Sequence, residues 1–516
     1  MTLKRLFLIG LTLFAALLSG LSLVASWQKP QFQSRLELYQ TNIVLQAQAW
    51  RPETSQDDIY QQIQTAVIGE KPLEAATKQY QEASQSVQSN LDKLTEQLAK
   101  LHTTKTPISP LPTKTASQAA EKQLQDSIDE LQKWRSELNL NLGILQVQEG
   151  ETDSALKTWE QLQQQSPKYP EQQQMAEVLS GIWRNPPLLL PKAQQIIQRN
   201  LSGWFRSTAL IQLYQLQQRQ EALSTIQAEQ QTAASKALTK LTIIAVIPTL
   251  TAIFGIILLV FLVGQRLILK NHSILAQNAE ERWLTPWNWE VVLQVFVLGF
   301  FLMGQFFIPL LFDILPIPQS TNNVQIETVS ILIQYLLISS GALTVLYLSL
   351  KRFFPLPESW FRLRFNGSFL LWGIGGYCVA LPIVVIVSLV NQQLWQGQGG
   401  SNPLLQLALE SQDTLALAIF FITAVICAPF FEELLFRGFL LPSLTRYLPV
   451  WGAIGASSLL FAIAHLSLSE VLPLTALGSV LGVVYTRSRN LLAPMLIHAM
   501  WNSGTLMSLF LLGSNN

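Results

Sequence analysis

The chain has 516 residues, 49% hydrophobic and 13% charged, with a formal net charge of +1. So even a balance gives no basic surface for nucleic acid, and so apolar a composition argues against a wholly soluble protein. Two cysteines, Cys378 and Cys427, both in apolar runs, exclude a disulfide framework or a CxxC metal motif and read as small buried hydrophobes.

Residues 6–26 form an uncharged, mostly apolar run after Lys4 and Arg5. Its length suffices to cross a bilayer. It reads as an N-terminal anchor (residues 1–27) rather than a cleaved signal, for which Val24-Ala-Ser26 is a poor cleavage site.

Residues 28–239 are polar and rich in glutamine. Apolar residues recur at helical spacing, as at Leu36, Tyr39 and Ile43, and at Leu91, Leu94, Leu98 and Leu101. The sequence divides here into a helical region 28–102, a Pro- and Thr-rich linker 103–117 and a second helical region 118–239. In the second, Leu142, Gly143, Ala155, Trp159 and Pro167 stand at the spacing of a tetratricopeptide repeat. Asn139 and Gln146 replace the usual early aromatics, and Leu213-Tyr214 with Glu221-Ala222-Leu223 is a weaker echo. A TPR-like helical domain would bind a protein partner.

Beyond residue 240 the apolar runs 241–264, 290–312, 329–350, 369–390, 414–440, 451–468, 471–486 and 491–512 predict eight spans, nine with the anchor. The expected fold is therefore all-α: a polytopic transmembrane bundle of about eight core helices, an N-terminal anchor helix and an extramembrane helical domain. Within the membrane part, 240–413 holds the earlier spans and 414–512 the segment with chemistry. Lys4, Arg5, Arg266, Lys270, Lys351, Arg352, Arg362, Arg364, Arg446, Arg487 and Arg489 fall on one side of these spans, while loops 313–328 and 391–413 lack Lys and Arg. The positive-inside rule makes the basic side cytoplasmic and residues 28–239 extracytoplasmic.

The chemistry gathers near the C-terminus. Glu432 and Glu433 are adjacent in an apolar run, where each ionised carboxylate costs at least ~2.5–3.5 kcal/mol to insert. Arg437 lies one turn on, in reach of Glu433. Phe461 and His465 share a helix face, as do His498 and Asn502. Counted from the shared turn near Arg446–Val450, Glu432 and His465 each lie ~21 Å deep, whereas His498 lies ~12 Å from its own helix start, a mismatch of ~9 Å. Pro429 removes the hydrogen bond to the Val425 carbonyl and predicts a kink, with freed backbone lining a wet cavity.

The three motifs, Glu432-Glu433-Leu-Leu-Phe-Arg437, Phe461-Ala-Ile-Ala-His465 and His498-Ala-Met-Trp-Asn502, stand in the order of the EExxxR, FxxxH and HxxxN motifs of the CPBP family. That family comprises type II CAAX prenyl endopeptidases and bacteriocin-processing or immunity (ABI) proteins, and the likeness covers about residues 414–508. The resemblance implies an intramembrane endopeptidase with an eight-helix core, acting on membrane-associated or lipidated polypeptides. By it, Glu432 activates water, His465 assists, His498 and Asn502 stabilise the oxyanion, and Glu433 with Arg437 tunes the site. Phe461 supports the histidines.

The residues themselves admit two mechanisms. One uses no cofactor. In the other, Glu432, His465 and His498 ligate Zn²⁺ with an open fourth position and Glu433 is the base. The bland alternative is a structural ion pair, a core histidine and interhelical hydrogen bonds, or a non-proteolytic binding or immunity protein on the same fold. Gly455-Ala-Ser457-Ser458 partly resembles a rhomboid serine motif but lacks its final glycine, and reads more simply as small residues at a helix contact.

Overall fold

The computed structural model describes residues 2–27, 33–51, 65, 67–103, 114–164, 169–314, 324–395, 399 and 413–513. It is all-α among these residues and divides into two compact units, Met1–Gln33 with Val246–Ser514, and Ser34–Ala245.

The polar unit contains α2 (Gln33–Gln48), α3 (Pro72–Thr103), α4 (Lys114–Gln148), α5 (Thr152–Gln164), α6 (Pro170–Trp183), α7 (Ala193–Asn200), α8 (Gly203–Leu216) and the first part of α9 (Gln220–Leu269). Its core draws on Leu38, Tyr80, Leu91, Ile128, Leu145, Trp159, Leu179, Phe205 and Ile226, so the two helical regions separated by sequence share one core. The expected linker shrinks: residues 104–113 lie outside the described residues, and 114–117 already belong to α4. Trp159 is wholly buried and its indole donates to the Leu140 carbonyl at 3.2 Å. Gly143 makes room for it, since a Cβ there would lie 2.3 Å from the indole nitrogen. The Pro167 of the repeat spacing lies outside the described residues.

The apolar unit contains α1 (Leu3–Trp27), the later part of α9, α10 (Trp289–Phe312), α11 (Val324–Leu350), α12 (Gly367–Trp395), α13 (Thr414–Leu444), α14 (Val450–Ile463), α15 (Leu468–Ser488) and α16 (Leu492–Gly513). Among the described residues eight helices are long and apolar enough to cross a membrane, including α1. That corrects the expected nine. The run 451–468 is not one span: α14 has 14 residues, ~21 Å of rise against a hydrocarbon core of ~30 Å. The chain then turns at Ala464–Ser467 and returns as α15. Large apolar side chains such as Leu250, Ile257, Phe261 and Ile386 are exposed, a surface suited to lipid rather than water.

The loops that sequence assigned to the basic side do meet at one end of this unit. Trp283 donates to the Ser359 carbonyl at 3.2 Å, Trp360 to that of Leu284 at 2.9 Å, and Trp287 to Ser443 Oγ at 2.9 Å. Arg446 donates to the Thr285 carbonyl at 3.1 Å, Arg487 to that of Leu275 at 2.7 Å, and the Arg489 guanidinium lies over the Trp283 ring. At the other end, Asn391 donates to the Ser469 carbonyl at 2.6 Å, and Ser26 Oγ accepts the Leu468 N–H at 3.1 Å.

Candidate active site

α13 carries the glutamates and is not a uniform α-helix. Residues Ile422–Cys427 and Leu434–Leu440 form π-helical turns on either side of an α segment, Ala428–Glu433. Such widened turns recur at functional sites. The cause of the first is legible. Pro429 has no N–H, and just before it the Ala428 N–H reaches back five residues to the Thr423 carbonyl. In that pattern the carbonyl left without a backbone donor is that of Ala424, one residue from the Val425 expected for a plain α-helix. The Asn502 side chain from α16 fills the role, donating through Nδ2 to the Ala424 oxygen at 2.7 Å.

Glu433 is fully buried, and so is Arg437. They pair as the spacing predicts, Nη1 to Oε1 at 2.7 Å. Nη2 donates to the Gly478 carbonyl on α15 at 3.2 Å, and the guanidinium lies 4.5 Å from the Phe461 ring centroid. Such a charge-assisted bond is what a buried pair requires, although Glu433 Oε2 is buried with no hydrogen-bond partner among the described residues.

His498 joins α16 to this pair: its Nδ1 lies 2.9 Å from Glu433 Oε1. A carboxylate already bound by arginine can only accept, so Nδ1 carries the proton and donates. The other ring nitrogen, Nε2, faces Glu432 Oε2 at 3.9 Å. That is too long for a direct hydrogen bond and leaves a gap in which one polar atom can touch both. Glu432 retains 17% side-chain exposure, unlike Glu433. The expected depth mismatch of His498 is thus closed. The α15–α16 connection is itself buried: Asn490 and Leu491 are enclosed, Leu491 donating to the Arg362 carbonyl at 2.9 Å and Asn490 to that of Arg364 at 2.7 Å.

His465 lies just past the end of α14, half-buried. Its Nδ1 stands 2.9 Å from the Phe461 carbonyl and therefore donates, capping an orphan carbonyl of the last turn. In a neutral ring this leaves Nε2 as an acceptor. Its link to the other residues runs through Phe461, whose ring meets His465 edge-on at 5.1 Å and His498 at 5.8 Å. Motif residues from α13, α14 and α16 are therefore gathered in one region, with Phe461 at its centre.

Sequence reasoning passed over two participants. Tyr335 on α11 has its hydroxyl 3.4 Å from Glu432 Oε1, and a single tyrosine in an apolar span gives no periodic signal. Gly478 supplies the carbonyl for Arg437, and a Cβ there would stand 3.1 Å from Nη2. The serines of the rhomboid-like stretch are engaged elsewhere, Ser457 Oγ to the Phe436 carbonyl at 3.2 Å and Ser458 Oγ to that of Ile454 at 2.7 Å.

The zinc alternative asked Glu432, His465 and His498 to converge as ligands. Among the described residues no three His, Cys, Asp or Glu side chains are grouped so that they could hold a metal. In both histidines Nδ1 is engaged, to Glu433 and to a carbonyl, which leaves Nε2 as the nitrogen without a bond in the site.

Residues 414–504 match the family described as type II CAAX prenyl endopeptidase Rce1-like. Over 220 residues, 42% of this chain and 86% of the relative, the sequence is 24% identical to the membrane-embedded CAAX protease MroQ of Staphylococcus aureus (strain USA300). Over 137 residues it is 28% identical to the putative membrane peptidase YdiL of Bacillus subtilis (strain 168), a match covering 27% of this chain and about half (55%) of that relative. No solved structure matches.

Proposed function

We propose that this multi-pass membrane protein, whose residues 414–504 belong to the Rce1-like family of type II CAAX prenyl endopeptidases, hydrolyses peptide bonds of membrane-associated or lipidated polypeptides. The observation that carries the proposal is the pair of different glutamates beside one imidazole. Glu433 is closed off by Arg437 and His498, while Glu432 keeps partial side-chain exposure and faces the second nitrogen of the same ring.

In this reading Glu432 is the base. A water between Glu432 Oε2 and His498 Nε2 loses a proton to the carboxylate as its oxygen attacks the scissile carbonyl carbon. The tetrahedral intermediate carries its charge on the former carbonyl oxygen. The free amide proton of Asn502, its other one being held by Ala424, is a donor for that oxygen, and so is Nε2–H of a doubly protonated His498. With Glu432 protonated at that point, the charges of Glu433 and Arg437 cancel and that of the imidazolium is matched by the oxyanion, which suits a membrane interior. The proton on Glu432 then passes to the amide nitrogen as the C–N bond breaks. His465, with Nε2 as acceptor, assists proton movement. Glu433 and Arg437 hold His498 in orientation.

The test is cleavage of a reporter peptide by purified protein in lipid nanodiscs. Glu432→Gln is expected to abolish cleavage while expression and thermal stability persist, and cleavage should survive chelation. Turnover by Glu432→Gln at the wild-type rate overturns the proposal; loss on chelation with recovery on added zinc overturns its metal-free form.

Two coarser proposals concern the rest of the chain. The shared end of the basic loops supports a cytoplasmic assignment for that end, and hence an extracytoplasmic one for residues 28–239. The Gly143–Trp159 contact between α4 and α5 supports a TPR-like reading of 118–239, with a protein partner as its ligand.

A further inference from the structure

The motif residues lie on α13, α14 and α16, but the oxygen of Glu432 that faces away from His498 is approached from a different helix. Tyr335, on α11, lies outside the stretch matched to the family. Its hydroxyl is 3.4 Å from Glu432 Oε1. A carboxylate accepts and a phenol donates, so the direction of this contact is fixed. The phenol ring is also held, standing edge-on to Phe431 with centroids 6.2 Å apart. Phe431 immediately precedes Glu432 and is itself buried in the core of this unit. The tyrosine is thus positioned by packing, independently of the hydroxyl.

The geometry points to Tyr335 as a positioning residue that divides the work between the two oxygens of Glu432. Oε1 is held by the phenol, while Oε2 is left facing His498 Nε2 at 3.9 Å. This inference rests on the reading of Glu432 as the base. A glutamate side chain has three rotatable bonds, and one with partial exposure samples several orientations. A donor on one oxygen selects the orientation that presents the other to the water. It also keeps the transferred proton on the Oε2 side, since the Oε1 side already receives the tyrosine hydrogen. The 3.4 Å separation is long for an O–H···O bond, as catalytic hydrogen bonds often are before substrate tightens them. A consequence follows for the extent of the catalytic unit. It includes α11, and residues 414–504 alone lack a component of it.

The experiment uses the full chain in nanodiscs with the reporter peptide, and compares wild type, Tyr335→Phe, Glu432→Gln and the double variant. Tyr335→Phe keeps the ring and its packing on Phe431, so folding and thermal stability should be unchanged. It is expected to lower kcat about tenfold, the loss typical of a hydrogen bond to a charged group, with KM changed less than about twofold. In the Glu432→Gln background, where cleavage is already lost, the same substitution should leave thermal stability unchanged, so the double variant controls for folding. Wild-type kcat in Tyr335→Phe, or a change confined to KM, overturns the inference while leaving the role of Glu432 intact, provided Glu432→Gln is inactive. If Glu432→Gln cleaves at the wild-type rate, the proposed chemistry falls and Tyr335 falls with it.

Discussion

Asn502 donates to the carbonyl of Ala424 at 2.7 Å, and the reason that carbonyl is free is Pro429. The two belong to one device. The proline withholds a backbone donor five residues along the π turn, and the asparagine of a distant helix takes the vacated acceptor, tying α16 to α13 beside the glutamates. Pro429→Ala should therefore restore a backbone N–H that competes for Ala424. The helix is expected to be at least as stable, since an interior proline costs ~3 kcal/mol. Yet cleavage should fall by about tenfold, the equivalent of one hydrogen bond misplaced. Melting temperature and reporter turnover, measured on the same preparations, check the two halves.

Glu433 and Arg437 make the opposite kind of prediction, one of stability. Both are enclosed and bonded at 2.7 Å. Glu433→Gln or Arg437→Met leaves one buried charge without its counter-ion, at a cost of ~3–5 kcal/mol. Replacing both, as Glu433→Leu with Arg437→Met, removes the charges together and should recover much of that loss. Catalysis should not return with it, because His498 then loses its acceptor. A thermal unfolding series over the four proteins, alongside turnover, checks the expected recovery of one property without the other.

The contrast between what the sequence foretold here and what it did not has physical causes. The Glu433–Arg437 bond follows from helical spacing, a local property, and was legible; His465 meets Phe461 from the turn past the end of α14 rather than from a shared helix face. The span assignments were legible from apolar run length, except at 451–468. There the turn at Ala464–Ser467 contains neither glycine, proline nor a formal Asp, Glu, Lys or Arg to mark it, so the sequence hides the end of α14. The closure of the His498 depth gap was not legible, because it depends on Asn490 and Leu491 being covered by the distant segment around Arg362–Arg364. Nor was the shift from Val425 to Ala424, which arises only once the helix widens.

Outside the span itself, Asp413 caps α13. Its Oδ1 accepts the Ala416 N–H at 2.8 Å and Oδ2 accepts from Gln325 at 2.6 Å. These donors favour the ionised carboxylate, the backbone bond most of all, and hold its pKa below the ordinary value of 3.8. A carboxyl whose folded pKa is lowered contributes stability above its unfolded pKa and loses it as pH falls through the folded one. Asp413→Asn should thus be less stable than wild type at pH 7, and the difference should narrow at pH values below about 4. Paired melts from pH 7 to pH 3 check the sign; a gap that widens on acidification contradicts it.

A second proline sets the contact between α9 and α12. Pro382 cannot donate to the carbonyl four residues before it, that of Cys378. Gly255 of α9 lies against that same carbonyl: a Cβ built on it would stand 1.8 Å from the oxygen and 2.5 Å from the carbon. The obstacle is backbone and cannot swing aside, so the glycine is needed for the two helices to approach, and its Cα–H is the group left facing the oxygen. Gly264, nine residues on in the same helix, has nothing within 4 Å of its Cβ position. Gly255→Ala should cost on the order of 1–3 kcal/mol through displacement of α9 from α12, while Gly264→Ala should be neutral or stabilising by the usual helix preference for alanine. Melting temperatures of the two variants in one lipid separate a specific close approach from a general dislike of added methyl groups, and equal behaviour at both positions contradicts the argument.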